Sequence, residues 1–512
     1  MQNSKQLSIN FITQILSFSI NLAISFFLTP YVIKFIGKDV YGFVSLANNF
    51  TSYVTVLTVA LNGMLSRYVT LAFAKKDYNS ISRYMSSVFF ANAGLMLIFL
   101  PISIIFVINL DAFINLPIGS EWDVKLLFLL IFISFCVNLP GGCFYSATYA
   151  ANRLDKANIS SLIGSILRIA VLLLMLVTLT PHVWYVGLTS MLCTLYLIVA
   201  YFHYQKRFIP EIRISIQKFH WGTVKELVGI GIWNSVSQLS QILLNGMDLI
   251  IANLMVNVMS MNLLSYAKMI PTQLLSLLAA IAGIFAPTMT IAYGRENKQD
   301  FVKETNFAIR CCGFLCSVPI IGLVVFGESF YSLWLQTLSV EEVHTVAILS
   351  VLTILPQIFS VYIYPLYSVN TITAKIKLPV IVTVGYSILN VILVYILLQI
   401  TNLGIYLVAG VSSVLSLLYI FFFVPIYAAY TVAVPWTTFY KPLVRGMFCN
   451  GILIILFRII KIVCTISNWT SFFMVCLLAA VIAYLMLFFV LFNKVERKKV
   501  SNMVRSKVGR KV

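Results

Sequence analysis

The sequence predicts an all-α, polytopic membrane protein of about fourteen transmembrane helices, a count set by the roughly 20 apolar residues that one crossing needs. Three observations lead there. First, 60% of the 512 residues are hydrophobic and 10% are charged, with a mean hydropathy of +0.96; a soluble domain carries about 25% charged residues. Second, apolar runs of spanning length recur from one end of the chain to the other. Third, the basic residues concentrate in alternate loops between those runs.

Taken in order, the run from Leu7 to Ile33 is too long for a signal-peptide core and has no small-x-small cleavage pattern beside it. It is expected to be span 1 (8–33) of the mature protein. Span 2 (41–65) stops at Arg67, and span 3 (84–108) leads to an acidic loop with Asp111, Glu121 and Asp123. Span 4 (126–149) stops before Arg153. Spans 5 (158–180) and 6 (184–203), hinged at Pro181, and spans 11 (378–399) and 12 (403–425), around Asn402, have such short links that each pair must be an antiparallel hairpin. Spans 7 (227–256), 8 (261–291), 9 (306–333) and 10 (343–369) lie between them, and spans 13 (441–461) and 14 (470–492) close the series. Eight prolines, among them Pro30, Pro140, Pro271 and Pro356, interrupt spans and free backbone carbonyls there.

With the N-terminus in the cytoplasm, 28 Lys and Arg residues face inside, and only Lys34, Lys38, Lys125, Arg458 and Lys461 face outside. That asymmetry specifies the orientation and supports an even span count, because one missed span would invert every later loop. The expected location is a bacterial plasma (inner) membrane with both termini cytoplasmic. The net charge of +19 is then explained by inner loops and anionic head groups rather than by nucleic acid.

The chain also repeats itself weakly with a shift of about 220 residues. Tyr41 to Ala47 falls near Leu263 to Ala267, and Tyr149 to Arg153 falls opposite Tyr367 to Asn370. The expected organisation is a six-helix lobe (1–205), a cytoplasmic interfacial linker (206–226) anchored by Trp221, a second six-helix lobe (227–425), two additional helices (426–492) and a basic cytoplasmic tail (493–512).

No enzymatic constellation is present: the sequence has no Walker A, HExxH, GxSxG or Gly-rich dinucleotide turn. The nine cysteines are not spaced with His as metal ligands, and Cys311, Cys312 and Cys316 read as polarizable core filler. No cofactor and no metal is expected. What remains are ionisable groups within apolar runs, which are costly there and mark pathways or partners. Arg168 falls roughly 16 Å into span 5, while Asp248 and Lys268 share a depth of roughly 12 Å from the outer surface on consecutive helices. Asp248 and Lys268 read either as a buried ion pair or as a cavity-facing pair whose carboxylate couples transport to H+ or Na+. Arg168 reads as a counter-charge for phosphate or an acidic sugar, or as a snorkelling arginine. Arg67 is a weaker candidate at the pathway mouth. Asn234, Gln238, Gln241 and Asn245 mark one face of span 7, and Asn48 with Asn49 adds amides in span 2. Such a stripe is interhelical glue or the lining of a wet cavity.

The run Phe27-Leu28-Thr29-Pro30-Tyr31-Val32-Ile33, then Tyr41-Gly42 and Leu65-Ser66-Arg67-Tyr68, resembles the polysaccharide transporter (Wzx or O-antigen flippase) branch of the multidrug/oligosaccharidyl-lipid/polysaccharide (MOP) exporter superfamily. Asn245-Gly246-Met247-Asp248 and Tyr266-Ala267-Lys268 are similar to that branch's second-half pattern. The resemblance implies two six-helix lobes of MATE/MurJ type, alternating access, and flipping of a polyprenyl-diphosphate-linked oligosaccharide, with membrane lipids and polymerase or glycosyltransferase neighbours as partners. Spans 13 and 14 resemble the extra pair of the peptidoglycan-precursor flippases, where they form a groove for a lipid tail. A drug/cation antiporter of the MATE type would want an acidic, aromatic cavity, and a membrane-embedded glycosyltransferase would want catalytic carboxylates or a large outer loop.

Overall fold

The computed structural model describes residues 2–497 apart from 246, 295, 296, 374 and 495. The expected basic tail therefore lies, beyond residue 497, outside the described residues. Every described element is helical. Among the described residues, twelve helices are long and apolar enough to cross a membrane. The spans expected at 41–65 and 227–256 fall on helices that are not among those twelve.

The chain divides into two compact units. The first comprises Met1–Asn262 with Thr383–Ile388, and the second Leu263–Val382 with Leu389–Val512. The linker expected at 206–226 lies inside the first of them.

The first unit contains α1 (Gln2–Ile36), α2 (Gly42–Ala74), α3 (Tyr78–Ile108), α4 (Glu121–Gly141), α5 (Tyr145–Ala150), α6 (Leu154–Thr178), α7 (Trp184–Phe208), α8 (Trp221–Asn245) and α9 (Met247–Ile251). A π-helical turn, Ala252–Val256, follows α9, and the first turn of α10 (Val258–Gly294) also belongs here. Span 4 is two helices because Pro140 and a 3-10 turn, Gly142–Phe144, break it. Lipid is as apolar as leucine, so helices associate through close packing and polar contacts. Accordingly Asn92 of α3 donates to Asn62 of α2 at 3.0 Å, Ser134 of α4 meets Thr194 of α7 at 2.8 Å, and Ser160 of α6 meets Tyr204 of α7 at 3.1 Å. Gly164 lets α6 approach α7 so closely that a Cβ there would stand 3.0 Å from the Cys193 sulfur. At one end of the unit a core of Leu65, Val69, Ile81, Met85, Val88, Ile209, Ile212 and Leu227 joins α2, α3, α8 and the 209–220 segment.

The second unit holds the rest of α10, then α11 (Lys298–Trp334), α12 (Val340–Ser360), α13 (Tyr364–Ile372), most of α14 (Lys377–Ile400), α15 (Ile405–Leu418), α16 (Val424–Val432), α17 (Tyr440–Val463) and α18 (Trp469–Leu491). Span 10 is broken between α12 and α13, and span 12 continues through a π-helical turn, Tyr419–Phe423, into α16. Tyr362 lies in the break between α12 and α13. Its fully buried ring lies against Gly313 of α11 and Gly446 of α17, where an added Cβ would come within 2.0 and 2.4 Å of it. The Tyr362 hydroxyl bonds Ser317 at 3.0 Å and donates to Asn450 at 3.1 Å, and Asn450 donates to the Ile358 carbonyl at 2.8 Å. These contacts fix α17 onto α11 and α12. The Arg310–Glu496 ion pair adds a link between α11 and the end of the described chain.

Candidate functional site

Arg168 is half-buried on α6, one turn after Ser165 and one turn before Leu172. Ser165 donates to the Asn21 side chain of α1 at 2.8 Å, and Leu172 packs on Val32 of α1 with Tyr41 alongside. Residues 165, 168 and 172 share one face of a helix, so Arg168 stands on the side of α6 that faces α1. Its charge reaches the Tyr41 hydroxyl, itself 3.3 Å from Thr29, and the Cys193 thiol of α7. No hydrogen bond or ion pair joins it to another described residue. A guanidinium so placed keeps its planar fork free for two oxygens of a phosphate or carboxylate.

Asp248 is 4% exposed on α9, and its carboxylate acts electrostatically on Tyr53 of α2. The π-helical turn that follows is a local irregularity often found at functional positions. It is held by Asn253, which is completely buried. The Asn253 side-chain oxygen accepts from the Asn115 backbone N–H at 2.8 Å, its amide donates to the Asn115 carbonyl at 3.0 Å, and the Asn115 amide donates to the Asn253 carbonyl at 2.8 Å. This clasp fixes the loop between α3 and α4 to the π-helical turn that follows α9. Sequence reading did not find Tyr53, Asn115 or Asn253.

Lys268 lies in the second unit, half-buried on α10, and each of Asp248 and Lys268 is described within its own unit. Its carbonyl accepts from Thr272 at 2.7 Å. The neighbouring Ala267 carbonyl accepts from Tyr331 of α11, which also bonds Ser350 of α12 at 2.9 Å. The amide stripe is only partly visible. Gln238 is half-buried, one turn from Ser235, which donates to the Val56 carbonyl of α2. The side chains of Arg67, Asn234, Gln241 and Asn245 lie outside the described residues. Asn48 is exposed, and its amide donates to the Val44 carbonyl of its own helix at 2.8 Å. No group of three or more metal-ligating side chains occurs among the described residues.

The second unit also contains an apolar groove of about 370 Å³ between α10, α11, α17 and α18. Leu274, Pro319, Phe326, Phe457, Cys476 and Tyr484 line it, and Gly322 opens onto it with nothing within 4 Å of where a Cβ would stand.

The sequence from residue 7 to residue 291, more than half the chain, matches the family described as "Polysaccharide biosynthesis protein". The chain belongs to this family. The resemblance read from the Phe27–Ile33 run and Tyr41-Gly42 is thereby confirmed. A relative of the polysaccharide biosynthesis family member described here, the uncharacterized membrane protein EpsK of Bacillus subtilis (strain 168), is 25% identical over 505 residues, 98% of this chain and 99% of that protein. Among solved structures, a multidrug resistance MATE family transporter of the MOP superfamily in an inward-facing conformation superposes with a TM-score of 0.62 at 13% identity, covering 86% of this chain and 98% of that one. The lipid II flippase MurJ in an inward closed conformation gives 0.62 at 16% identity, covering 91% and 98%. The family member thus has the fold these transporters share.

Proposed function

We propose that this chain is a secondary flippase, carrying a polyprenyl-diphosphate-linked oligosaccharide from the cytoplasmic to the outer leaflet of a bacterial plasma membrane by alternating access. The observation that carries this reading is the apolar groove formed with α17 and α18. A polyprenyl tail lying there keeps contacts as apolar as those it has in lipid, so it crosses without exposure to water. The diphosphate has the opposite need. In a low-dielectric passage each phosphate requires a cation, and Arg168 supplies one that no described side chain neutralises. Asp248, buried beside Tyr53, is the group proposed to exchange H+ or Na+ and so tie movement to a gradient. Lys268, Arg67 and the amides Asn48, Asn234, Gln238 and Asn245 are proposed as further contacts to the sugar and diphosphate. The excess of basic residues in alternate loops supports the reading that both termini are cytoplasmic, on the side where polymerase or glycosyltransferase partners would hand over substrate.

The test is reconstitution of the purified protein into vesicles, following outward movement of a fluorescent polyprenyl-diphosphate sugar. Arg168→Ala should slow movement at unchanged folding, and Asp248→Asn should remove its dependence on an ion gradient. Wild-type rates and gradient dependence in both variants would refute these assignments.

A further inference from the structure

The segment that joins α7 to α8, together with the first turn of α8, carries a second, separate inference. It is pinned to α3 by three hydrogen bonds from its backbone: Arg213 N–H to the Ser82 hydroxyl at 3.3 Å, Ser215 N–H to Ser86 at 3.2 Å, and His220 N–H to Ser87 at 3.1 Å. All three serines are completely buried. From Ser82 to Ser87 the segment climbs five residues of α3, roughly 7.5 Å along the helix axis. It stops where α3 turns apolar, since Val88 opens the run that continues to Ile108. The segment therefore lies at the depth of the headgroup and acyl boundary.

Its apolar residues divide into two sets. Ile209 and Ile212 are buried in the core shared with α2, α3 and α8, whereas Ile216 and Trp221 are 70% and 57% exposed. A chain with an apolar core within reach leaves large side chains outside it when another apolar medium covers them. The charges around them are mostly positive: Arg207, Arg213 and Lys225 are exposed and Lys218 half-exposed, against two exposed carboxylates, Glu211 and Glu226. Tryptophan at boundary depth with flanking cations is the pattern of a surface that sits in the interface of an anionic bilayer.

We propose that residues 209–225 form a preformed binding surface for anionic phospholipid, in which Ile216 and Trp221 enter the acyl boundary and Arg213, Lys218 and Lys225 hold headgroup phosphates. The serine contacts give it a fixed shape before lipid arrives, so little ordering is lost on binding. The occupant is lipid rather than a soluble protein because the segment rises to the start of the apolar run instead of standing clear of it.

The full chain is reconstituted into phosphatidylcholine vesicles containing brominated phosphatidylcholine or brominated phosphatidylglycerol, and the emission due to Trp221 is isolated by subtracting Trp221→Phe. Both lipids should quench it, the phosphatidylglycerol more strongly, and added salt should shrink that excess. Each of Arg213→Gln, Lys218→Gln and Lys225→Gln should lower the relative affinity for phosphatidylglycerol about fivefold, the equivalent of about 1 kcal/mol per cation at a membrane surface. Equal quenching by the two lipids, insensitive to salt and to the substitutions, would overturn the anionic preference. Emission quenched by aqueous iodide and by neither lipid would overturn the membrane contact altogether.

Discussion

The Asn262 side-chain oxygen accepts a hydrogen bond from the Gly42 backbone N–H at 2.7 Å, and the same amide donates to the Asp39 carbonyl, also at 2.7 Å. One buried asparagine thus satisfies both the first orphan donor of α2 and a carbonyl of the α1–α2 turn. Gly42 is required for the approach, since a Cβ there would stand 2.0 Å from the Asn262 oxygen. Gly42→Ala should cost about 1–3 kcal/mol through overpacking, and Asn262→Ala about 1–3 kcal/mol through the two groups left unpaired. Because both remove one contact, the double variant should lose less than the sum. Thermal unfolding in detergent measures all three, and strict additivity would show that the contact does not form.

Tyr362 offers a sharper version of the same test. Tyr362→Phe keeps the ring and removes the bonds to Ser317 and Asn450, for an expected loss of about 1–3 kcal/mol. Gly313→Ala places a methyl group on the ring edge, and Tyr362→Ala should relieve that clash while opening a cavity worth about 3–5 kcal/mol. Gly313→Ala should therefore be severe in the wild-type background and nearly neutral with Tyr362→Ala. If α17 is fixed through this residue, protease should cut the 433–439 connection faster in Tyr362→Ala than in the parent.

Such contacts explain what the sequence showed and what it withheld. Twelve of the expected spans were legible because each is a local property of about twenty consecutive side chains, and Arg168 drew notice because one charge in an apolar run is conspicuous. The break at Pro140 was announced by its residue, but the ends of spans 10 and 12 were not, since apolarity continues through the π-helical turn into α16 without interruption. Tyr362 was invisible for a different reason. Its slot is made by two glycines 133 positions apart, Gly313 and Gly446, and nothing in the local pattern of either marks it. Asn253 and Asn115 look like ordinary loop-edge amides until folding brings their backbones together. Asn48 shows the converse: conspicuous as an amide in an apolar run, its side chain is engaged with its own helix.

Asp77 caps the start of α3, and hydrogen bonds from the Ser80 side chain and backbone hold its carboxyl below the ordinary value of 3.8. With the folded value below the unfolded one, its contribution is complete above the unfolded value and is lost as pH falls through the folded value. The difference in melting temperature between the parent and Asp77→Ala should therefore be steady at neutral pH and shrink in acid. Asp77→Asn keeps the accepting oxygen and should keep most of the cap without that pH dependence. A difference that persists unchanged at the acid end would exclude the carboxylate as the source.

Gly322 separates the groove from the stability of the helix that forms it. The space beyond its Cα is open, with nothing within 4 Å of an added Cβ, so substitution there meets no neighbour at the first carbon. Gly322→Ala should raise stability by about 0.5–1 kcal/mol, because glycine inside a helix is more costly than alanine, and should leave transport unchanged. Gly322→Phe projects a ring into the groove toward Phe326 and Phe457. Its melting temperature should stay near that of Gly322→Ala, whereas movement of a polyprenyl-linked sugar should fall steeply and that of a short-tailed analogue should fall less. Equal loss for both tails would place the obstruction in the path of the sugar or diphosphate, and unimpaired movement of both would remove the groove from the transport path.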